Sequence, residues 1–432
     1  MVGNANSKHS DAQAAGEKFL ALTSGNLVAY LDGCVKCGQC ATACHFYEVT
    51  GNPKYTPAYK LFPMARAHRR TRWPWRWFGG PKITEKDLQE WEELLFDSCT
   101  MCGRCTQVCP MGIDISSIVA ASRQAFAAAG RGPEDLMQAA ENVRDKGSPL
   151  GVTPTVFDGR IEWLEDDYEV DLPIDKKGAE VLLTVSSIEL MKYPKSIVAM
   201  ARLLNQAGVN WTFSSKGYEA TNFGFLAGKT DIAKLAIERM ADAAEELGTK
   251  LLVIPECGHA YGVLRWSGAN ILGRPLPFHA MHITEFLAQL KREGKLKFRQ
   301  HEGSITYHDP CQVSRRGGAT ADARYLLEDM AADFREMTPT GNFNWCCGGG
   351  GGVQAMSRAA DLRHKVFQIK MKQVEDTGAD MLISACANCR LTMDESKEYW
   401  KWDHGLESLV ELLAENLIED EDHSFEAKPH LA

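Results

Sequence analysis

The sequence Cys34-Val-Lys-Cys37-Gly-Gln-Cys40-Ala-Thr-Ala-Cys44 spaces four cysteines as C-x2-C-x2-C-x3-C. The same spacing recurs in Cys99-Thr-Met-Cys102-Gly-Arg-Cys105-Thr-Gln-Val-Cys109-Pro110. The two copies hold eight of the 14 cysteines in a chain of 432 residues. That total is too small for a disulfide scaffold of this length and too large for idle core thiols, so it indicates metal binding.

The triplet spacing favours iron–sulfur clusters over zinc. In a run of the bacterial ferredoxin type, three thiolates hold one [4Fe–4S] cluster and the fourth ligates the other cluster. Zinc takes paired C-x2-C units and leaves the triplet unexplained. Pro110 follows the last cysteine of the second copy, whereas His45 takes that place in the first, a departure that concerns the local backbone geometry and not the ligation. The predicted ligand sets are Cys34, Cys37, Cys40 and Cys109 for one cluster, and Cys99, Cys102, Cys105 and Cys44 for the other.

Length and charge narrow the class of protein. A chain of 432 residues predicts two to three domains. No stretch approaches the ~18 apolar residues of a membrane span, and the first residues lack the apolar core of a signal peptide. We therefore expect a cytoplasmic protein. The net charge of −9 argues against a general nucleic-acid binder.

Residues 49–84, between the two cysteine runs, form a basic insert without Asp or Glu. Aromatic residues and arginines alternate from Arg69 to Phe78, a composition that suits a lipid headgroup layer or the acidic face of a partner. The insert is predicted to dock to a membrane subunit or to the membrane surface. A solvated loop with packed tryptophans and a single-stranded nucleic-acid site are the alternatives. Its basic residues are Lys54, Lys60, Arg66, Arg69, Arg70, Arg72, Arg76 and Lys82.

The rest of the chain alternates helical and β-rich patterns, which predicts α/β units with parallel sheet. Helices are predicted at 115–129 and 133–145, before a connector rich in Pro, Gly and acidic residues. The first α/β unit has predicted strands at 180–185, 210–213 and 250–254, and helices at 196–205 and 231–246. The second has predicted strands at 304–307 and 381–384, and helices at 319–330, 355–374 and 406–417.

The two α/β units look like copies of one another. The second holds Cys311, Cys346-Cys347-Gly348 and Cys386-Ala-Asn-Cys389. Overlaying the first unit places Asn222-Phe-Gly224 on Cys346-Cys347-Gly348, Cys257 on Cys386, and Ala260 on Cys389. The first copy would thus have lost four of five thiols and kept Cys257. The predicted domains are a tail or helix (1–29), the cluster domain (30–145), a linker (146–177), the degenerate repeat (178–300), the intact repeat (301–418) and an acidic tail (419–432).

The pattern C-x34-C-C-G-x37-C-x2-C resembles the cysteine-rich CCG domain of heterodisulfide reductase catalytic subunits. The flanking Tyr307-His-Asp-Pro-Cys311 and Trp345-Cys-Cys-Gly-Gly349 fit that pattern. The whole arrangement resembles the D subunit of heterodisulfide reductase and DsrK, and is similar to iron–sulfur subunits of glycolate and lactate oxidases. The resemblance implies an α+β and α/β fold: a helical ferredoxin-like 2[4Fe–4S] domain followed by two pseudo-repeated α/β CCG domains.

The resemblance also implies a third iron–sulfur centre, cubane or noncubane, that reacts with disulfides directly. Gly348 and Gly349 would let the backbone approach this centre or the substrate. No Lys-Ser/Thr follows the glycines, so a phosphate loop is the weaker interpretation. Cys257, His259 and His308 are the catalytic candidates, although buried structural roles are common for such residues. The implied ligands are Cys311, Cys346, Cys347, Cys386 and Cys389.

Three functions follow as hypotheses. The first is an oxidoreductase acting on sulfur groups, a subunit that exchanges electrons between a membrane-anchored cytochrome b or quinone subunit and a small thiol or small disulfide-carrying protein. Such a subunit would be cytoplasmic and peripherally attached to the inner membrane. The second is an iron–sulfur relay of a flavin-dependent glycolate- or lactate-type dehydrogenase. The third makes the second half a docking module without a cluster.

Overall fold

The computed structural model describes residues 4–23, 25–71, 74–78 and 82–419. Arg72 and Trp73 of the insert, and the acidic tail from 420 onward, lie outside the described residues.

The N-terminal domain is helical. The predicted helices near 115 and 133 are confirmed. Its helices are α1 (Asn4–Ala21), α2 (Asn26–Gly33), α3 (His45–Thr50), α4 (Phe62–Arg69), α5 (Trp75–Phe78), α6 (Glu85–Glu92), α7 (Arg104–Gln107), α8 (Ile115–Ala128) and α9 (Glu134–Lys146). Single 3-10 turns lie at Gln39–Ala43, Pro53–Tyr55 and Pro57–Leu61, and a π-helical turn lies at Glu93–Asp97.

The predicted connector contains a helix, α10 (Pro154–Tyr168). Thr153 caps it by accepting a hydrogen bond from Val156 N, and Pro154 occupies the first turn, where no N–H is required. The helix buries Phe157, Ile161 and Leu164 in the core of the first α/β half. The acidic and glycine content of this segment obscured that apolar stripe, so sequence reasoning assigned no helix to the connector.

Each of the two following halves is built on a four-stranded parallel sheet, which confirms the predicted pseudo-repeat. The first sheet has the order β2-β1-β3-β4, with β1 (Val181–Leu183), β2 (Trp211–Thr212), β3 (Leu251–Ile254) and β4 (His279–His282). The second has the order β6-β5-β7-β8, with β5 (His301–His308), β6 (Ala331–Phe334), β7 (Met381–Ser384) and β8 (Gly405–Ser408).

Helices cover these sheets in matching places. The first half carries α11 (Ser187–Lys192), α12 (Pro194–Gln206), α13 (Phe223–Ala227), α14 (Thr230–Leu247), α15 (Gly258–Leu272) and α16 (Ile283–Arg292). The second carries α17 (Ala321–Met330), α18 (Ala360–Glu375), α19 (Ala387–Trp400) and α20 (Leu409–Glu415), with 3-10 turns at Gly341–Phe343, Val353–Ala355 and Ser357–Ala359. The helix predicted to begin at residue 355 therefore begins only at Ala360.

The helix predicted at 406–417 was also misplaced. Its first residues form the edge strand β8, in which Leu406 pairs with Leu382 of β7. Ser408 then caps α20 by accepting a hydrogen bond from Glu411 N. A short apolar run does not distinguish a strand from a helix, and here pairing with β7 decides the conformation.

The two halves pack about an approximate twofold axis. Helix α12 packs on α20 and α16 packs on α17, so helices of each half lie against helices of the other. Strand residues of both sheets share one buried core. In each sheet the chain reverses its direction of winding between the two central strands, where ligands bind beyond the carboxyl ends. Ser186 and Cys257 follow these strands in the first half; Cys311 and Cys386 follow them in the second.

Candidate iron–sulfur and thiol-reactive site

The first predicted ligand set lines one cavity. Cys34, Cys37, Cys40 and Cys109 surround a space of about 410 Å³. The crossed pairing brings Cys109 from the second cysteine run to the first. Both runs turn in the same way, since Lys36 and Gly38 have φ of 58° and 81°, and Met101 and Gly103 have 54° and 74°. Four convergent sulfurs are the donor set that a [4Fe–4S] cluster requires.

The second set lines another cavity of about 370 Å³, formed by Cys44, Cys99, Cys102 and Cys105. Burial raises the pKa of Cys44 to about 11, so ionisation of this thiol calls for a bound metal. Lys60 lines the same cavity and is fully buried; its Nζ donates to Leu94 O at 3.0 Å and Ser98 O at 2.8 Å. Lys60 therefore belongs to this cavity and does not extend the exposed basic face of the insert.

The third cavity, of about 710 Å³, lies between the two α/β halves. Cys311, Cys347, Cys386 and Cys389 line it from the intact half, and Cys257 lines it from the degenerate half. Cys347 and Cys389 place their Sγ atoms 3.4 Å apart. Cys386 and Cys257 are the residues that precede α19 and α15, and backbone N–H groups at such helix starts favour negative charge.

Cys346 brings the intact half next to the second cavity. Ligand atoms of His45, Cys102 and Cys346 all lie within 4.8 Å of one another. The Sγ of Cys346 also lies 3.5 Å from Thr100 Oγ1, in the loop of the second cysteine run. His45, the residue that replaces the usual proline, is buried at this junction, and neither ring nitrogen has a hydrogen-bond partner among the described residues.

Buried basic side chains lie beside the second and third cavities, and sequence reasoning did not predict their burial. Arg123 donates to Cys99 O at 3.0 Å and Leu226 O at 2.9 Å, and contacts Gly351 O at 2.5 Å, so it ties the helical domain to both halves. Arg315 donates to Cys102 O at 3.0 Å. Arg315 lies four residues after the predicted ligand Cys311, so its position could have indicated a place at the site. Nothing in the sequence indicates such a place for Arg123. The buried lysine and arginine side chains among the described residues are Lys60, Arg104, Arg123, Arg315, Arg363, Lys370 and Arg390.

The glycine run packs closely against its neighbours. Gly348 N lies 3.5 Å from Cys346 Sγ. A Cβ on Gly349 would lie 1.8 Å from Thr392 Oγ1, and one on Gly351 would lie 2.8 Å from the Thr100 backbone. Gly350–Gly352, rather than Gly348 and Gly349, line the third cavity. The glycines thus allow the intact half to touch the loop of the second cysteine run.

The three catalytic candidates lie at the third cavity or beside its thiols. Cys257 contacts Thr221 Oγ1 at 3.6 Å, and Thr221 N donates to the buried Glu219 carboxylate at 2.8 Å. His259 lies 3.4 Å from Asn222 O. His308 has a ring nitrogen within 4.8 Å of the Cys347 and Cys389 sulfurs. Burial lowers the pKa of His259 to about 4 and that of His308 well below its usual value, so both are neutral at pH 7.

The insert is only partly a free basic surface. Lys54 pairs with Glu93 and Arg66 with Asp87, each at 2.6 Å. The aromatic part is open, since Trp75, Trp77 and Phe78 are 48%, 78% and 81% exposed. Within the described ranges, no helix has the length and apolar character needed to cross a bilayer.

Comparison with known proteins gives two family matches. Residues 30–113 match the 4Fe-4S dicluster domain, and residues 305–394 match the cysteine-rich domain CCG. These domains indicate bound iron–sulfur clusters. The two matches cover the helical domain's cysteine runs and the intact half.

Full-length relatives span both domains. The chain is 29% identical to the D subunit of the dihydromethanophenazine:CoB–CoM heterodisulfide reductase of Methanosarcina barkeri, covering 90% of this chain and 94% of that protein. It is 28% identical to Hdr-like menaquinol oxidoreductase iron-sulfur subunit 2 of Archaeoglobus fulgidus, covering 86% and 77%. It is also 28% identical to the EtfAB:quinone oxidoreductase of Syntrophomonas wolfei, covering 82% of this chain and 52% of that protein.

These matches agree with the cavities lined by cysteine and with the two parallel sheets. The chain is an iron–sulfur protein similar to the D subunit of heterodisulfide reductase, with a dicluster domain followed by CCG-type α/β halves.

Proposed function

We propose that this chain is the iron–sulfur subunit of a membrane-associated oxidoreductase complex. It would exchange electrons between a cytochrome b or quinone module and a disulfide or trisulfide substrate at the third cavity. The names of its relatives, a heterodisulfide reductase component and quinone- or quinol-linked oxidoreductases, support this assignment.

The observation that carries the proposal is the series of three adjoining cavities lined by cysteine. Cys40 and Cys44 belong to one short loop, and Cys102 meets Cys346 at the junction with the intact half. Clusters held at these cysteines would supply one-electron transfer, and two [4Fe–4S] clusters plus one further cluster are proposed. Such transfer is favoured where ligands of neighbouring clusters lie close together, and the sulfurs of Cys102 and Cys346 lie within 4.8 Å of each other.

The chain's own residues would hold and protonate the substrate. Cys311, Cys346, Cys347, Cys386 and Cys389 hold the third cluster in this proposal, and Cys257 faces them. Reduction of a disulfide consumes two electrons and two protons. Thr221 can pass a proton to Cys257 from Glu219, whose pKa burial raises to about 7. His259 and His308, being neutral, would relay protons rather than store them.

A spectroscopic experiment tests the proposal. Oxidised protein treated with a thiol such as 2-mercaptoethanol should develop a new paramagnetic signal, and Cys347→Ser should abolish it. Cys257→Ser, on the opposite wall of the same cavity, is the matched control and should keep the signal. A spectrum indifferent to thiol in the wild type would contradict disulfide chemistry. It would favour the second candidate, a relay in a flavin-linked complex, to which the quinone oxidoreductase relative lends some support.

A further inference from the structure

The third cavity adjoins another, wider cavity. This wider cavity has a volume of about 1200 Å³, and both are lined by Ile188, Thr221, Phe223, Gln354 and Ala355. A single layer of side chains therefore separates the outer space, called here the vestibule, from the cysteines. Beyond this layer the vestibule is bounded by α9 and by Pro149, Leu150 and Leu391.

The charged side chains that line this route are both acidic. Glu134 and Asp135 line the vestibule. Among the described residues that line the vestibule or the third cavity, none is Lys or Arg. Asp135 accepts hydrogen bonds from Ser357 N and Ser357 Oγ, and these bonds keep its pKa below the usual value, so it stays charged. The other vestibule residues are uncharged, among them Gln138, Asn142 and Leu150.

We propose that the substrate of this site is a small neutral or cationic disulfide that enters through the vestibule. The inference rests on the proposed function and narrows it to a class of substrate. A substrate carrying phosphate, sulfonate or carboxylate would meet two lining carboxylates, and no Lys or Arg side chain among the residues that line the route would offset them. In the reaction its S–S bond breaks, the reduced quinol or haem module of the partner supplies two electrons, and two protons complete the two thiols.

Three small disulfides of similar size test this: cystamine, which is cationic, 2-hydroxyethyl disulfide, which is neutral, and dithiodiglycolate, which is anionic. Reduction by the full chain is followed with a reduced viologen as electron donor. We expect kcat/KM for cystamine to exceed that for dithiodiglycolate about tenfold, a size typical of steering by a few charges. The double variant Glu134→Gln/Asp135→Asn should bring the two values within about threefold. Asp145→Asn is the matched control, since Asp145 is on α9 but lines neither cavity.

The possible outcomes distinguish failure of the substrate proposal from failure of the proposed function on which it rests. If the wild type reduces none of the three disulfides, the proposed function itself fails. If it reduces dithiodiglycolate best, or if the double variant leaves the cystamine preference unchanged, the function stands and the vestibule proposal is wrong.

A different observation supports a role for His45. This residue is 2% exposed, lines the second cavity, and has both ring nitrogens unpaired among the described residues. A buried polar group without a hydrogen-bond partner lowers the stability of the folded protein. Such a group is therefore expected where a bound ligand supplies the missing hydrogen bond. We infer that His45 donates an N–H hydrogen bond to a sulfur at the junction of the second and third cluster sites, and so acts as a positioning residue there.

Hydrogen bonds to cluster sulfurs raise the reduction potential, because they stabilise the added negative charge. His45→Phe should therefore lower the potential of one cluster, reducing its reduced-to-oxidised ratio about tenfold at a fixed potential; this corresponds to about 59 mV for one electron. His45→Gln, which keeps an N–H donor, should restore most of the shift. The readout is a potentiometric titration followed by electron paramagnetic resonance.

His282→Asn serves as the control, because His282 is also a buried histidine but lies in the degenerate half, where it caps α16. An unchanged potential in a His45→Phe protein with full iron content would overturn the inference. If His45→Phe fails to retain iron, His45→Gln decides alone: a wild-type potential supports the hydrogen bond, and a tenfold shift rejects it.

Discussion

The two α/β halves have the same sheet order but contain different chemistry at the same corner. In the intact half the loops beyond the two central strands carry Cys311 and Cys386; in the degenerate half they carry Ser187 and Cys257. Ala385 precedes Cys386, whereas Glu256 precedes Cys257. The degenerate half keeps the same backbone although four thiols are absent, because its strands and helices form half of a shared core.

Three buried glutamates distinguish the degenerate half, whereas the buried carboxyl Asp309 of the intact half is paired with Arg324 at 2.9 Å. The three are Glu189, Glu219 and Glu256, and Glu256 accepts hydrogen bonds from Ser408 Oγ and Val410 N of the intact half. The Glu256 carbonyl also accepts from Ala387 N at 2.6 Å, directly beside Cys386. The degenerate half thus acts as a polar wall and brace for the thiols opposite. The difference suggests that one half holds metal and the other shapes the cavity.

Loss of metal is the largest effect that this comparison predicts. Cys386→Ser should remove the third cluster and about four irons per chain, because a thiolate ligand is lost. Cys257→Ser, its counterpart in the degenerate half, should leave the iron content unchanged. Iron and acid-labile sulfide analysis measures both. Equal losses in the two variants would mean that Cys257 is also a ligand.

The next effect concerns Arg123, the residue through which the helical domain binds both α/β halves. Arg123→Leu leaves carbonyls of Cys99, Leu226 and Gly351 without their donor in a dry core. We expect a loss of about 3 kcal/mol or more in the free energy of unfolding. Denaturant unfolding measures it, with Arg202→Leu on the exposed face of α12 as the control. A loss below about 1 kcal/mol would show that this residue does not join the three parts.

A smaller effect concerns the basic insert, whose exposed aromatic side chains contrast with the buried polar contacts between the two α/β halves. Replacing Trp77 and Phe78 by Ser removes two aromatic side chains that are 78% and 81% exposed. Sedimentation of cell membranes should show several-fold less of this variant bound. Trp163→Ser, at a residue 39% exposed on α10, is the control and should behave as the wild type. Unchanged sedimentation of the double variant would exclude the insert as the docking surface.

The smallest effect is a pH dependence of stability carried by the degenerate half. Burial raises the pKa of Glu189 and Glu219 to about 7 and that of Glu256 to about 8. The folded state therefore binds more protons than the unfolded state above about pH 4.5, and stability should fall as the pH rises toward about 8. Glu256→Gln should flatten this slope by up to about 1 kcal/mol per pH unit. Thermal unfolding at about pH 5.5 and about pH 7.5 measures it; an unchanged slope would mean that Glu256 stays ionised throughout.

The cysteine patterns predicted much of the site, because ligand spacing fixes local geometry. Each crossed set lines one cavity, and Cys257 and Cys386, which the overlay matched, line a third together. Contacts between distant segments were beyond sequence reasoning. Nothing local indicates that His45 and Cys346 meet, or that Arg123 reaches Gly351, since tertiary packing alone brings them together. The edge strand β8 and helix α10 were missed for a similar reason, because their partners decide their conformation.

Iron content tests most directly whether the intact half alone holds a third cluster. Anaerobically purified, reconstituted protein should contain about twelve irons per chain, about four for each of three clusters. The triple variant Cys311→Ser/Cys347→Ser/Cys389→Ser should contain about eight. A wild-type value of about eight, unchanged in the triple variant, would contradict the account and leave the two α/β halves as a docking module.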